Sequence, residues 1–124
     1  MTTKRTRFGQ YGEDLGVKYL KNKGYLVIDR NFNRKCGELD IITKKDNKII
    51  FVEVKTRDIS RNTEQGAGEE SVNYYKQKKL LKTAELYILE KKLPENMFWQ
   101  FDVLSISIDK QAKIAKIKHI EDAF

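Results

Sequence analysis

The chain has 124 residues with one Pro, one Cys and one His, 35% of them charged, and a formal net charge of +7. That length fits one domain over residues 1–124 that can bury enough of its own surface to fold without covalent or metal staples. One cysteine excludes an internal disulfide and a thiolate zinc site, and no apolar run reaches the about 18–20 residues that span a bilayer.

The basic stretch Met1 to Arg7 is not followed by an apolar segment, so it does not read as a secretory signal. The expectation is a soluble, cytoplasmic protein with no membrane association. Its excess positive charge serves either solubility or an anionic partner, and nucleic acid heads the list of such partners.

Phe8, Tyr11, Leu15, Tyr19 and Leu20 recur at helical spacing and Gly24 follows, which predicts a helix over residues 7–23. Glu13 then falls on the flank of the apolar stripe, about 140° from Phe8 at about 100° per residue. Tyr25-Leu26-Val27-Ile28 reads as a short buried strand, and Asp29 to Gly37 as a polar, basic connection. Leu39 to Thr43 and Ile49 to Thr56 read as two antiparallel strands joined by the polar segment Lys44 to Lys48. Residues 57–70, with Gly66 and Gly68 and few apolar side chains, read as a surface loop. Ser71 is a candidate N-cap for a helix reaching Lys91. Its inner face would be Val72, Tyr75, Leu80, Ala84, Tyr87 and Ile88, with Lys76, Lys78, Lys79 and Lys82 loading the remainder. Phe101 to Ile108 and Lys113 to Ile120 close the chain as strands joined by Asp109-Lys110-Gln111. The order α-β-β-β-α-β-β predicts an α/β layer fold with a mixed sheet.

The informative residues are Asp40, Glu53 and Lys55. Strand alternation puts Phe51, Glu53 and Lys55 on one face and Ile50, Val52, Val54 and Thr56 on the other. Charges inside so apolar a run are costly unless compensated, and an exposed face or an ion pair with a neighbour would suffice. The hairpin offers a second account. Paired strands let Asp40 and Glu53 converge on one face across a spacing of about 4.8 Å. Two such carboxylates repel unless a cation lies between them. Hard oxygen donors suit Mg²⁺ or Mn²⁺ rather than zinc, and the Val54 carbonyl could supply a further ligand. Lys55 would then stand beside the metal, where an amine can orient or help deprotonate water and offset charge on a phosphate. These are the parts that phosphodiester hydrolysis requires.

Asp40 followed after twelve residues by Glu53-Val54-Lys55 resembles the PD-(D/E)xK signature of the restriction-endonuclease-like superfamily. The wider pattern is similar to the YraN-like (UPF0102) family of small predicted endonucleases. The matching segments are Gly9-x-x-Gly12-Glu13-x-x-Gly16, Gly37-Glu38-Leu39-Asp40-Ile41-Ile42, Phe51 to Arg57, Ser71-Val72 with Lys76-Gln77-x-x-Leu80, and Phe101-Asp102-Val103. They occur in family order over residues 8–104. Leu39 stands where the superfamily's name has proline, a feature that YraN-like sequences share. The resemblance implies a restriction-endonuclease-like sheet flanked by helices, with Asp40, Glu53 and Val54 as metal ligands and Lys55 as the catalytic lysine. It is similar in layout to archaeal Holliday-junction resolvases, which implies Glu13 as an accessory carboxylate and branched or structured DNA as substrate.

Arg34, Lys35, Arg57, Lys76 and Gln77 are candidate nucleic-acid contacts, alongside the basic residues Lys4, Arg5, Arg7, Arg30 and Arg61. Binding through such groups would be salt-sensitive and governed by shape, since no recognition helix or zinc-finger spacing is present. Lys76 and Gln77 equally suit a solvated helix face. Asp102, between apolar strand residues, suits a structural acceptor better than a ligand. Tyr74 and Tyr75 could stack on bases, although Tyr75 fits the core stripe. Cys36 reads as a bystander thiol. His119 is remote in sequence from any nucleophile, so no Ser-His-Asp triad can be assembled. Gly66-Ala67-Gly68 lacks the features of a phosphate loop. Cleavage of two symmetric strands would favour a homodimer, for which the sequence marks no interface. The competing classes are a non-catalytic nucleic-acid-binding module with the same fold and a basic face that docks an acidic protein.

Overall fold

Two apolar segments, Lys48–Asp58 and Phe98–Asp109, lie side by side in the interior of a five-stranded sheet. The computed structural model describes residues 6–60 and 72–124. The candidate cap Ser71, the Gly66-Ala67-Gly68 segment and the basic residues Lys4, Arg5 and Arg61 lie outside the described residues. In chain order the elements are α1 (Arg7–Asn22), β1 (Leu26–Arg34), β2 (Gly37–Lys45), β3 (Lys48–Asp58), α2 (Tyr74–Glu90), β4 (Phe98–Asp109) and β5 (Ile114–Ile120). The sheet order follows the chain, β1-β2-β3-β4-β5. Among the described residues only β3 and β4 pair in parallel; the other pairings are antiparallel. Parallel neighbours cannot be joined by a tight turn, and α2 is the crossover between them. The expected α/β mixed sheet flanked by helices, in the order α-β-β-β-α-β-β, is therefore the architecture of the chain.

The two helices cover opposite faces. On one, Leu80, Ala84 and Tyr87 of α2 pack on Ile42, Phe51, Phe101 and Val103. On the other, Val17 and Leu20 of α1 pack on Ile41, Val52, Leu104 and Ile106. Strand alternation carries this division along β3, so Glu53 and Lys55 share the α2 face with Phe51. The β2–β3 turn holds Asp46 (φ 51°) and Asn47 (φ 61°), both left-handed. Paired left-handed residues match the twist of a two-residue hairpin, and Asp and Asn tolerate them well.

Three expectations are corrected. The short strand at residues 25–28 is the start of a longer one: β1 runs to Arg34 through the segment expected to be a connection. As an edge strand it needs no apolar alternation, and its residues Leu26 and Ile28 are exposed. The α2 helix begins later than expected. Asn73 is its N-cap, accepting the Lys76 N–H at 2.9 Å, and Tyr75 is exposed rather than part of the inner face. Finally, α1 buries a different stripe: Gly12, Glu13, Gly16, Val17 and Leu20, with Tyr11 outside and Glu13 buried instead of flanking.

Glycine explains that rotation. A Cβ on Gly12 would overlap the Thr56 side chain, and one on Gly16 would stand 3.2 Å from Cδ1 of Leu104. The helix lies against the sheet because these positions carry no side chain. Gly12→Ala is expected to destabilise the fold by about 1–3 kcal/mol through overpacking, despite alanine's better helix propensity. Urea unfolding measures this; a variant as stable as the parent would show that α1 can lift without cost.

Candidate functional site

The paired register between β2 and β3 runs from Lys45↔Lys48 to Ile41↔Val52, and Asp40 lies just beyond its last pair. There a side chain takes over the ladder's role: Oδ2 of Asp40 accepts the Val54 N–H at 2.9 Å. The bond satisfies a backbone donor on a central strand and fixes the carboxylate where the two strands part. A pocket of about 270 Å³ opens at this fork, lined by Glu38, Asp40, Glu53, Val54, Lys76 and Lys79 among others.

Glu53 is 6% exposed. A carboxylate so buried needs compensation, and the Lys76 ammonium lies 3.4 Å from its Oε2. The α2 helix provides this because its first turn, held by the Asn73 cap, sits over the end of β3. Of the residues singled out by sequence, the structure thus brings Asp40, Glu53, Val54 and Lys76 around one pocket. Lys55 stands two residues further along β3, half-buried and on the same face as Glu53, paired in register with Ser105. Among the described residues it is not part of the pocket lining.

Glu13 belongs to α1 and so approaches the sheet from the other face. Its Oε1 accepts from Nη2 of Arg30 at 3.1 Å, and the same nitrogen reaches Asp14 at 2.7 Å. Arg34 forms a two-pronged pair with Glu90 at 2.9 and 2.7 Å and stacks over Phe32. That bonding holds the Glu90 carboxyl below the usual carboxylate range. Arg57 donates through Nε to Ser107 at 2.8 Å, and Gln77 donates to the Val72 carbonyl at 2.7 Å, closing the approach to α2. Lys35 is exposed in the turn between β1 and β2. Sequence reasoning assigned no role to Glu38 and treated Lys79 only as surface charge. The available signals were the two-residue spacing of Glu38 from Asp40 and the helical spacing of Lys79 from Lys76.

Asp102 lies on the α1 face and is fully buried. It accepts from Gln100 Nε2 (2.9 Å) and the Asp122 N–H (3.0 Å), and its Oδ2 lies 2.7 Å from Nε2 of His119. The other imidazole nitrogen meets the Tyr19 hydroxyl at 3.2 Å. His119, remote in sequence, is thereby joined to an acid and a hydroxyl, and Asp102 is the structural acceptor it was expected to be. The network ties the end of α1 to β4 and β5. Burial and the nearby Asp102 charge push the Tyr25 phenol up to about 12.

The model of an uncharacterised protein family, UPF0102, matches residues 12–106. A UPF0102 protein of Clostridium botulinum strain 657 is 40% identical over 116 residues, covering 94% of this chain and 92% of its own length. Another from Clostridium beijerinckii is 43% identical over 116 residues, covering 94% of this chain and 91% of its own.

Asp102→Ala would deprive three part-buried donors of their acceptor and is expected to cost about 2 kcal/mol or more. Chemical denaturation checks this; a loss below 1 kcal/mol would show that water replaces the carboxylate (a shift of that size being about the value of one neutral hydrogen bond). The tyrosine gives a pH signature. The unfolded phenol ionises near 10 and the folded one near 12. Its contribution to stability is complete below the lower value and is lost as pH rises through the upper one. Melting temperatures of Tyr25→Phe should therefore decline less steeply than those of the parent between pH 10 and 12.

Proposed function

This chain belongs to the UPF0102 family, and from that premise and the geometry of its carboxylate pocket we propose that it is a metal-dependent endonuclease that hydrolyses phosphodiester bonds in branched or structured DNA. The observation that carries the reading is the convergence of Asp40 and Glu53, from neighbouring strands, on one pocket beside the Val54 backbone. Their order and spacing are those of the PD-(D/E)xK pattern, and the mixed sheet with α2 as crossover is the framework that pattern uses.

The donor set fits a hard divalent ion. The groups from Asp40, Glu53 and the Val54 carbonyl all offer oxygen, and the ammonium of Lys76 marks the place where positive charge offsets them. Among the described residues no group of three or more His, Cys, Asp or Glu side chains is arranged to hold a metal. Mg²⁺ and Mn²⁺ tolerate such open sites, because water and substrate phosphate complete their coordination. A bound ion would supply Lewis-acid polarisation of the phosphate and a more acidic attacking water.

The chain's own groups do the rest. Asp40 is held in one orientation by the Val54 N–H, so its position does not depend on a bound ligand. Lys55 would orient or deprotonate the water and offset charge at phosphorus. Glu13, buried on the α1 face and paired with Arg30, does not line this pocket; the role of accessory carboxylate that the resemblance implies for it has no support from this geometry. Lys35 and Arg57 would hold the phosphate backbone, as would Arg34 if DNA displaced Glu90 from it.

The Lys76–Glu53 pair favours one alternative. An ammonium already neutralises the buried carboxylate, as it would in a non-catalytic DNA-binding module that keeps the nuclease fold. Magnesium separates the two readings. Asp40→Asn and Lys55→Ala are each expected to lower cleavage of four-way or flapped DNA by at least about 100-fold, while leaving the circular dichroism spectrum and salt-sensitive binding intact. Glu53→Gln should abolish Mn²⁺ binding followed by electron paramagnetic resonance. Equal DNA binding in EDTA with no cleavage under any metal would favour the binding module. Full nicking by Lys55→Ala would remove that lysine from the catalytic assignment.

A further inference from the structure

Tyr75 is 81% exposed, the largest exposure among the outward-facing large hydrophobic side chains. It belongs to the first turn of α2, the turn that delivers Lys76 to Glu53. At about 100° per residue, Tyr75 lies about 40° around the helix from Lys79 and one turn towards the N-terminus. Lys79 lines the carboxylate pocket, so Tyr75 is the neighbour of a lining residue on the helix surface, on the side of α2 away from Leu80. Among the described residues Tyr75 makes no hydrogen bond, ion pair or ring contact.

Tyr74 differs in both respects. It falls about 160° from Lys76, on the outer side of the same turn. Its ring is already covered by the Lys78 ammonium, 4.8 Å from the ring centroid. One helix turn thus presents two exposed phenols, of which Tyr75 lies nearer around the helix to the pocket-lining Lys79.

We infer that Tyr75 is a stacking platform for an unpaired base next to the phosphate that enters the pocket, with Lys76 and Lys79 flanking the backbone. A duplex offers no free base face, because each is covered by its neighbours. A flap, bulge or junction does, and an aromatic ring beside lysines binds such a base through stacking and charge together. The net charge of +7 and the lysines of α2 are complementary to nucleic acid rather than to a second copy of this basic chain. This rests on the proposed DNA substrate and specifies which DNA: strands with an unpaired nucleotide at the point of cleavage. It assigns Tyr75 to substrate choice and leaves the bond-breaking groups unchanged.

The test is binding measured by fluorescence anisotropy in EDTA, with a duplex carrying one bulged base and the fully paired duplex of the same length. The parent is expected to prefer the bulged duplex by about 10-fold, the scale of one base stacked on an aromatic ring. Tyr75→Ala should lose that preference while keeping its affinity for the paired duplex. Tyr75→Trp should retain it, and so should Tyr74→Ala. The inference fails if the parent shows no preference, if Tyr75→Ala keeps it, or if Tyr74→Ala removes it equally. It also fails if Tyr75→Ala changes only the sedimentation coefficient, which would make this face a contact between copies. Because no cleavage is read, loss of the nuclease reading and loss of this one are separate results.

Discussion

One hydrogen bond between a side chain and the backbone organises this molecule: the Val54 N–H to the Asp40 carboxylate. Backbone donors on interior strands must be paired, and strand ladders usually do this alone. Here the β2–β3 register stops at Ile41↔Val52, and a carboxylate serves the next donor. The two strands can then separate without leaving an orphan, and the space between them becomes a pocket. Asp40 acts as the end of a ladder and as a wall of the site, so the site's geometry is as firm as the sheet's.

The second constraint is coverage of both faces. Parallel pairing of β3 with β4 requires the crossover α2, while α1 seals the opposite side. A carboxylate in the middle of β3, such as Glu53, is therefore buried, whereas Asp58 at the strand's end reaches solvent. Glu53 is tolerated because the same crossover helix brings Lys76 over it. The topology that buries the acid also supplies the base that compensates it.

Much of this was legible in the sequence. The strands β2 to β5, the hairpin and the convergence of Asp40 with Glu53 follow from period-two alternation and one short polar connection. The extent of β1 did not, because an edge strand is half solvated and needs no apolar pattern. The burial of Glu13 did not, because two glycines, rather than large apolar residues, mark the packed side of α1. Tyr75 was misjudged for a different reason. Its apolar ring suggested the inner face, but α2 buries Leu80, Thr83, Ala84 and Tyr87, and at about 100° per residue Tyr75 falls on the other side of the helix from Leu80. The union of His119 with Asp102 depends on the β4–β5 register, which no local pattern displays.

The outer edge of β1 has a wider consequence. Its pairing with β2 slips between Val27 and Asp29, and Asn31 follows in the left-handed region at φ 56°. Another extended chain approaching that edge would meet kinked donors and acceptors out of step with its own. At that edge a sixth strand is thereby disfavoured, the usual effect of a bulge on edge-to-edge pairing. The irregularity that disguised β1 as a linker thus also makes one border of the sheet a poor template for another chain.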